Sequence, residues 1–137
     1  MNYEELLREG KIEPVEKKEF DLSLALRDLK AAKDNYQAKD YDWALCIAYN
    51  AVLQASRALM FSLGYRTKGK EQHKSVFEFM EKTNLNKELI GYFNVIRKTR
   101  HIAVYDQSGM ISPQTAEETI NKAEQFVHKI RTTVLER

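Results

Sequence analysis

The chain has 137 residues, of which 43% are hydrophobic and 31% are charged, and its formal net charge is +2. This length allows one hydrophobic core and not two, so a single domain is expected over residues 1–137, with residues 1–15 as an N-terminal extension. The composition excludes a disordered chain. So small a net charge does not by itself indicate nucleic-acid binding, which would need positive residues gathered in one place.

The compartment is predicted from the cysteine count and from the distribution of apolar residues. Cys46 is the single cysteine, which excludes an internal disulfide and a zinc ribbon and favours a reducing, cytoplasmic environment. The sequence MNYEELLREGKIEP has no apolar run, so no secretory signal is expected. The most apolar window, residues 43–63, contains Asn50, Gln54 and Arg57, so we interpret it as a buried helix and expect no membrane association.

Helices are favoured throughout because the chain has only five glycines and two prolines. A short helical turn is predicted over residues 3–8. A first long helix is predicted from about residue 16 to residue 38. Its apolar residues recur at helical spacing: Leu22, Leu26, Leu29 and Tyr36.

The second predicted helix is the most apolar segment. Asp40 or Asp42 is its expected N-cap and Gly64 its expected C-cap. Apolar residues surround it almost completely, as is typical of the central helix of a bundle. Asn50, Gln54 and Arg57 interrupt them at i, i+4 and i+7 and form one polar stripe.

Three more helices complete the predicted fold. After a loop over residues 65–70, a short helix is expected over residues 71–83, and a longer one over residues 86–105. Ser112 and Pro113 are the expected N-cap and first residue of the last helix, which continues to the C-terminus. The fold class is therefore all-α, an up-and-down bundle of four main helices plus one short helix.

The segment RKTRHIAVYD raises a specific question, because Arg100 lies on the apolar face of the fourth main helix. A buried guanidinium needs a carboxylate, a carbonyl or a phosphate as its partner. Asp106, Asp42 and Asp28 are the candidate carboxylates. Val95, Thr99 and Ile102 form a second apolar edge, which either packs in a wide core or contacts a second subunit of a homodimer.

Common catalytic patterns are missing from the sequence. A di-iron bundle needs paired Glu-x-x-His motifs, and Glu124 with His128 has neither that spacing nor a second pair. GYRTKGK lacks the spacing of a phosphate-binding loop, and no Ser/His/Asp order is recognisable. We therefore expect no metal site and no cofactor.

Basic residues cluster in two places. On the fourth main helix, Arg97, His101 and Tyr105 follow one another at i+4, with Arg100 at i+3 from Arg97. Asp106 is adjacent to Tyr105, and this face predicts a ligand cleft for an anion. A second set could contact phosphate or form an ordinary solvated surface: Arg66, Lys68, Lys70, His73 and Lys74.

Several segments together resemble HEPN domains over residues 20–134. They are DYDWALCIAYNAVLQASRALMFSLGYR, HKSVFEFM, RKTRHIAVYD and AEETINKAEQFVHKI, in that order. The most specific parts are AYNA at residues 48–51, Arg100-x4-Tyr105-Asp106, and AEQFV at residues 123–127.

The resemblance implies a prokaryotic helical protein that dimerises and is often encoded beside a small nucleotidyltransferase, as the toxin half of a toxin–antitoxin pair. Many members are ribonucleases that need no metal and use an Arg followed four to six residues later by a His. This chain has Tyr105 at that place. Because a tyrosine is a poor base near neutral pH, we expect binding rather than cleavage.

Three hypotheses follow. The first is a cytoplasmic HEPN-type homodimer that binds RNA or a nucleotide phosphate and pairs with a nucleotidyltransferase. The second is a non-catalytic helical scaffold in which Arg100 and Asp106 only stabilise the bundle. The third is a ribonuclease that uses Arg97 or Arg100 with His101.

Overall fold

The structure of the protein is a computed structural model that describes residues 2–101 and 109–135. Within these ranges the chain forms a helical bundle with one small two-stranded sheet, so the predicted all-α class is confirmed. The elements in chain order are α1 Glu4–Arg8, β1 Ile12–Pro14, α2 Ser23–Gln37, α3 Tyr41–Leu63, β2 Tyr65–Thr67, α4 Gln72–Glu81, α5 Lys87–His101 and α6 Pro113–Leu135.

Helix α3 lies at the centre and packs against α2, α4, α5 and α6. Its predicted caps are confirmed, since the Asp40 side chain accepts from the Trp43 N–H at 3.4 Å and Gly64 has φ +90°. Within the described residues, α3 is one helix that is long and apolar enough to cross a membrane, but 72% of its most apolar window is buried in the bundle. The predicted buried helix is therefore confirmed.

Small side chains on α3 allow its neighbours to pack closely. Ala44, Ala48, Ala51 and Ala55 are all fully buried. Because they recur every three or four residues, the backbones of neighbouring helices can approach along one face. Larger residues complete the core from the other helices, as in the edge-to-face contact between Phe93 of α5 and Phe126 of α6.

The sheet is a correction to the sequence analysis, which predicted a loop after α3 and no strands. Strands β1 and β2 pair antiparallel, with Ile12 opposite Thr67 and Pro14 opposite Tyr65. Each strand has three residues, which is too short for an apolar alternation to be recognised. Ile12 is 1% exposed and anchors the pair to the core.

The start of α2 is a second correction, because this helix begins at Ser23 and not near residue 16. The preceding segment bonds to the end of α3 instead. The Val15 N–H donates to the Gly64 carbonyl at 2.9 Å and the Lys18 N–H to the Phe61 carbonyl at 3.0 Å. Leu26, predicted from its spacing to face inward, is 43% exposed.

Local capping sets the starts of the last two helices. The Asn86 side chain accepts from the Glu88 N–H at 2.7 Å at the start of α5, and Ser112 Oγ accepts from the Thr115 N–H at 3.1 Å at the start of α6. Before α6, the Asp42 carboxylate accepts from the Gly109 and Ile111 N–H groups at 2.5 and 3.2 Å. The expected end of α5, at residue 105, lies outside the described residues.

Candidate functional site

A cleft of about 700 Å³ opens between α3, α5 and the start of α4. Its lining comes from three separate parts of the chain. These residues are Arg57, Lys70, Glu71, Gln72, His73, Lys74, Arg97, Lys98 and Arg100. The structure thus brings part of the loop cluster and part of the α5 cluster, which the sequence analysis treated separately, into one site.

Helix α5 supplies one wall of the cleft. Leu89, Phe93 and Ile96 are buried in the core, so the helix is held by its apolar face. Arg97 and Arg100 then fall one turn apart at the edge of that face and line the cleft. The Arg97 Nε donates to the Asn94 side chain at 3.2 Å, which orients its guanidinium.

Arg100 lies against the ring of Tyr49, with its guanidinium carbon 5.5 Å from the ring centroid. Its Nε is buried, and no described residue accepts a hydrogen bond from it. Of the carboxylates expected as partners, Asp28 pairs with Arg27 at 3.1 Å. Asp42 accepts from the backbone before α6.

Asp106, the third expected partner of Arg100, lies outside the described residues, as does Tyr105. The side chain of His101 also lies outside what the structure describes. The predicted roles of these three residues in a ligand cleft stay predictions. Arg97 and Arg100 are the members of that predicted set that the structure places at the cleft.

Helix α3 contributes Arg57, which the sequence analysis did not assign to the site. The sequence pattern that could have indicated this role is the polar stripe of Asn50, Gln54 and Arg57 on an otherwise apolar helix. Burial lowers the pKa of the Arg57 guanidinium. Arginine nevertheless remains a cation at neutral pH because its ordinary pKa is so high.

His73 enters the cleft from the first turn of α4 and contacts α3 there. Its Nδ1 lies 3.2 Å from the hydroxyl oxygen of Tyr49, a hydrogen bond whose donor depends on the histidine tautomer. Burial lowers the pKa of His73, and the charges of Arg57, Arg100 and Arg97 lower it further. Since the ordinary value is about 6.5, the imidazole is neutral at pH 7.

Tyr49 is a buried support under the cleft. It is fully buried, and burial raises its pKa to about 12, although the charges of Arg100 and Arg97 act in the opposite direction. The phenol therefore keeps its proton at neutral pH. It holds the imidazole of His73 through its hydroxyl and the guanidinium of Arg100 through its ring.

Lysines complete the rim. Lys70 precedes α4, Lys74 lies in its first turn, and Lys98 is on α5. Glu71 is the one carboxylate among the described lining residues, and it lies 3.8 Å from the Lys74 amine. A site with three guanidinium groups, three amines and one carboxylate carries a strong positive potential and favours an anionic ligand.

Two members of the predicted loop cluster lie outside this cleft. The Arg66 Nε donates to Glu13 at 2.5 Å across the two-stranded sheet. Lys68 follows β2, and its backbone N–H donates to the Lys11 carbonyl at 3.0 Å. Pairing with β1 therefore directs this part of the loop towards the N-terminal segment.

Thiol and metal chemistry have little support in the described residues. Cys46 is 3% exposed, and burial raises its pKa to about 11, so the thiolate is not available near neutral pH. No group of three or more His, Cys, Asp or Glu side chains in the described part of the chain could hold a metal ion.

Comparison with known proteins agrees with this architecture. A family model described as "HEPN domain" matches residues 19–133, which is most of the chain. The chain belongs to the HEPN domain family. The match extends from just before α2 almost to the end of α6 and so includes every element that lines the cleft.

One HEPN relative is a Methanocaldococcus jannaschii protein named "Putative toxin MJ0142". It is 27% identical over 109 residues, which cover 78% of this chain and 74% of the relative. Two crystal structures share the fold at 17% identity. They are TT1696 from Thermus thermophilus, with TM-score 0.67 over 81% of this chain and 93% of its own, and ST0689, an archaeal HEPN homologue, with TM-score 0.62 over 82% and 93%.

Proposed function

We propose that this HEPN protein is a cytoplasmic, toxin-like homodimer that binds RNA or a nucleotide phosphate in the cleft between α3, α4 and α5. One observation carries the proposal. Three guanidinium groups and three amines from three chain segments converge on one open cavity that has a single described carboxylate. Phosphate is the biological anion that such a set of donors fits best.

No described residue accepts a hydrogen bond from the buried Nε of Arg100, which supports a ligand at this place. A buried N–H without an acceptor is unfavourable by about 1–3 kcal/mol, and few native structures keep one without a reason. A phosphate oxygen in the cleft would be such an acceptor. In the scaffold hypothesis, by contrast, Arg100 should be paired within the bundle, and two of its three expected carboxylates have other partners.

Helix α4 adds a weaker contribution to anion binding. Its first turn lines the cleft through Gln72, His73 and Lys74, and its N-cap residue Glu71 makes no capping hydrogen bond through its side chain. The free N–H groups at the start of a helix favour negative charge nearby. The attraction of an anion by these N–H groups would add to its attraction by the basic side chains.

The described lining residues of the cleft include no Phe, Tyr or Trp. Proteins that hold single-stranded RNA through its bases use aromatic rings for stacking. The proposed contact is therefore to phosphate groups and depends little on sequence.

The toxin-like role rests on family membership and on the name of the M. jannaschii relative. A small nucleotidyltransferase encoded nearby is the proposed partner, as is common for HEPN proteins. Finding such a reading frame beside this gene, and co-purification of the two products, would support the pairing.

Salt-dependent RNA binding tests the proposed site. We expect a single-stranded RNA to bind with an affinity that falls as salt rises, and Arg97→Gln with Lys98→Gln should weaken binding and make the slope of log K against log[salt] shallower. Each phosphate contact to single-stranded RNA contributes about 0.7 to that slope. Fluorescence anisotropy at several salt concentrations measures it.

The matched control is Lys129→Gln with Arg131→Gln on α6, which removes the same two types of charge from exposed positions away from the cleft. Equal losses of affinity in both double variants would show that net charge and not the cleft governs binding. Absence of RNA or nucleotide binding at low salt would favour the scaffold hypothesis.

A further inference from the structure

We propose that His73 of α4 supplies the base for RNA cleavage in this cleft, in place of the motif histidine for which the sequence has Tyr105. The inference rests on the proposed function, since it requires that RNA bind there. His73 is not part of the α5 motif, and it reaches the cleft only because α4 packs beside α3 and α5.

The position of the ring fits this role. Nδ1 is 3.2 Å from the Tyr49 hydroxyl, and no described residue makes a hydrogen bond to Nε2. The proposed role requires the tautomer in which Nδ1 carries the proton and donates it to the Tyr49 oxygen, because only then does Nε2 have a lone pair that can accept a proton. A buried oxygen that orients one ring nitrogen so that the other can accept a proton is a common arrangement of catalytic histidines.

The charges around His73 also suit a base. Tyr49 and Arg57 face it from α3, Arg97 and Arg100 from α5, and Lys70, Glu71 and Lys74 are its neighbours at the start of α4. The three guanidinium groups favour the neutral imidazole, which is the form that can accept a proton. They are also placed to stabilise the extra negative charge of a five-coordinate phosphate.

The reaction needs no co-reactant. His73 Nε2 takes the proton of a ribose 2′-hydroxyl, and the 2′-oxygen forms a bond to the adjacent phosphorus while the bond from phosphorus to the 5′-oxygen breaks. The leaving 5′-oxygen takes a proton from solvent, and the imidazolium returns its proton to solvent. The products are a 2′,3′-cyclic phosphate and a free 5′-hydroxyl.

The test measures binding and cleavage separately on one labelled single-stranded RNA. We expect His73→Gln to lower the cleavage rate by roughly 10²–10⁴-fold. The RNA affinity should change by less than about threefold, because a base acts mainly in the transition state. Glutamine retains a group that can hydrogen-bond Tyr49, and thermal melting checks that the variant is folded.

Three controls separate the base from a structural role. His128→Gln removes a histidine on α6 that lies away from the cleft, and it should leave cleavage unchanged. Added imidazole should partly restore cleavage by His73→Ala. An RNA with 2′-deoxyribose throughout should bind but stay intact.

Each other outcome has a definite meaning. RNA that binds with the expected salt dependence but is never cleaved overturns this inference and leaves the proposed function standing. Cleavage that survives in His73→Gln but is lost in His101→Gln assigns the base to α5 instead. Absence of RNA binding overturns the proposed function itself and the inference with it.

Discussion

Arg100 is the residue at which the proposed binding function and the stability of the fold are most directly opposed. Its Nε is buried without a described acceptor, and Arg57 and Arg97 line the same cleft. Binding sites often retain such unfavourable groups because a ligand satisfies them. Without a ligand, Arg100 stabilises the fold through the packing of its apolar stem and through its contact with the Tyr49 ring.

Arg100→Met should therefore weaken RNA binding without lowering the free energy of unfolding. Methionine keeps an apolar stem beside Tyr49 and removes a buried N–H that has no acceptor among the described residues, so the free energy of unfolding should stay constant or rise by about 1 kcal/mol. Urea denaturation measures this. A loss of several kcal/mol would instead show that Arg100 pairs with a buried carboxylate, as the sequence analysis expected, with Asp106 as the remaining candidate.

His73 should make the stability of the protein depend on pH. Its pKa is lower in the folded protein than in the unfolded chain, where it is about 6.5. Below that pH the unfolded chain binds a proton that the folded protein resists, so the free energy of unfolding falls as the pH is lowered.

Urea denaturation at pH 7.5 and at pH 5.5 should show this decrease for the native sequence and a smaller one for His73→Gln. His128→Gln is the control, as it removes a histidine from outside the cleft. An identical pH dependence in all three proteins would show that His73 titrates alike in the folded and unfolded states.

At the level of elements, the junction between α3 and β2 depends on Gly64. This residue has φ +90°, and a Cβ added to it would lie 3.1 Å from Lys17 Cγ and 3.3 Å from the Val15 carbonyl oxygen. Both atoms belong to the segment that bonds to the end of α3. The left-handed turn thus allows β2, and the loop that carries Lys70, to turn away from α3.

Gly64→Ala should lower the free energy of unfolding by about 1–2 kcal/mol, because a side chain disfavours this backbone conformation. Gly91→Ala is the matched control. Gly91 lies within α5, and an added Cβ would meet nothing within 4 Å, so alanine should stabilise the helix by about 0.5–1 kcal/mol. Chemical denaturation of both variants gives the comparison, and equal effects would contradict this account of Gly64.

At the level of the whole molecule, α5 has an apolar side chain that the described chain does not cover. Val95 is 64% exposed, on the second apolar edge that the sequence predicted. A homodimer would bury this edge, and two-fold dimers are the commonest form of soluble homo-oligomers.

Light scattering should give about twice the 16.0 kDa mass of one chain at tens of micromolar. Val95→Asp should shift the protein towards the monomer, because it places a charge in the proposed interface. Leu24→Asp on α2, which is 48% exposed, is the control and should not change the mass. A monomeric native protein would contradict the proposed dimer.

The sequence by itself determined the parts of the fold that depend on neighbouring residues. Asp40, Gly64, Ser112 and Pro113 set helix ends because a cap satisfies backbone groups within one turn. The apolar residues that surround α3 almost completely predicted its central position for the same local reason, since helical periodicity is a property of one segment. The sequence also indicated that the Arg100 guanidinium needs a hydrogen-bond acceptor as its partner.

Only the tertiary structure decided which of the basic residues lie together in one cleft. Arg57, His73 and Arg97 come from three helices. The spacing of residues along the chain does not predict that α3, α4 and α5 meet at one cleft. The same holds for the pairing of β1 with β2, which directs Arg66 away from that cleft and towards Glu13. A site built from distant segments depends on how the apolar faces pack, and that packing is a property of the whole core.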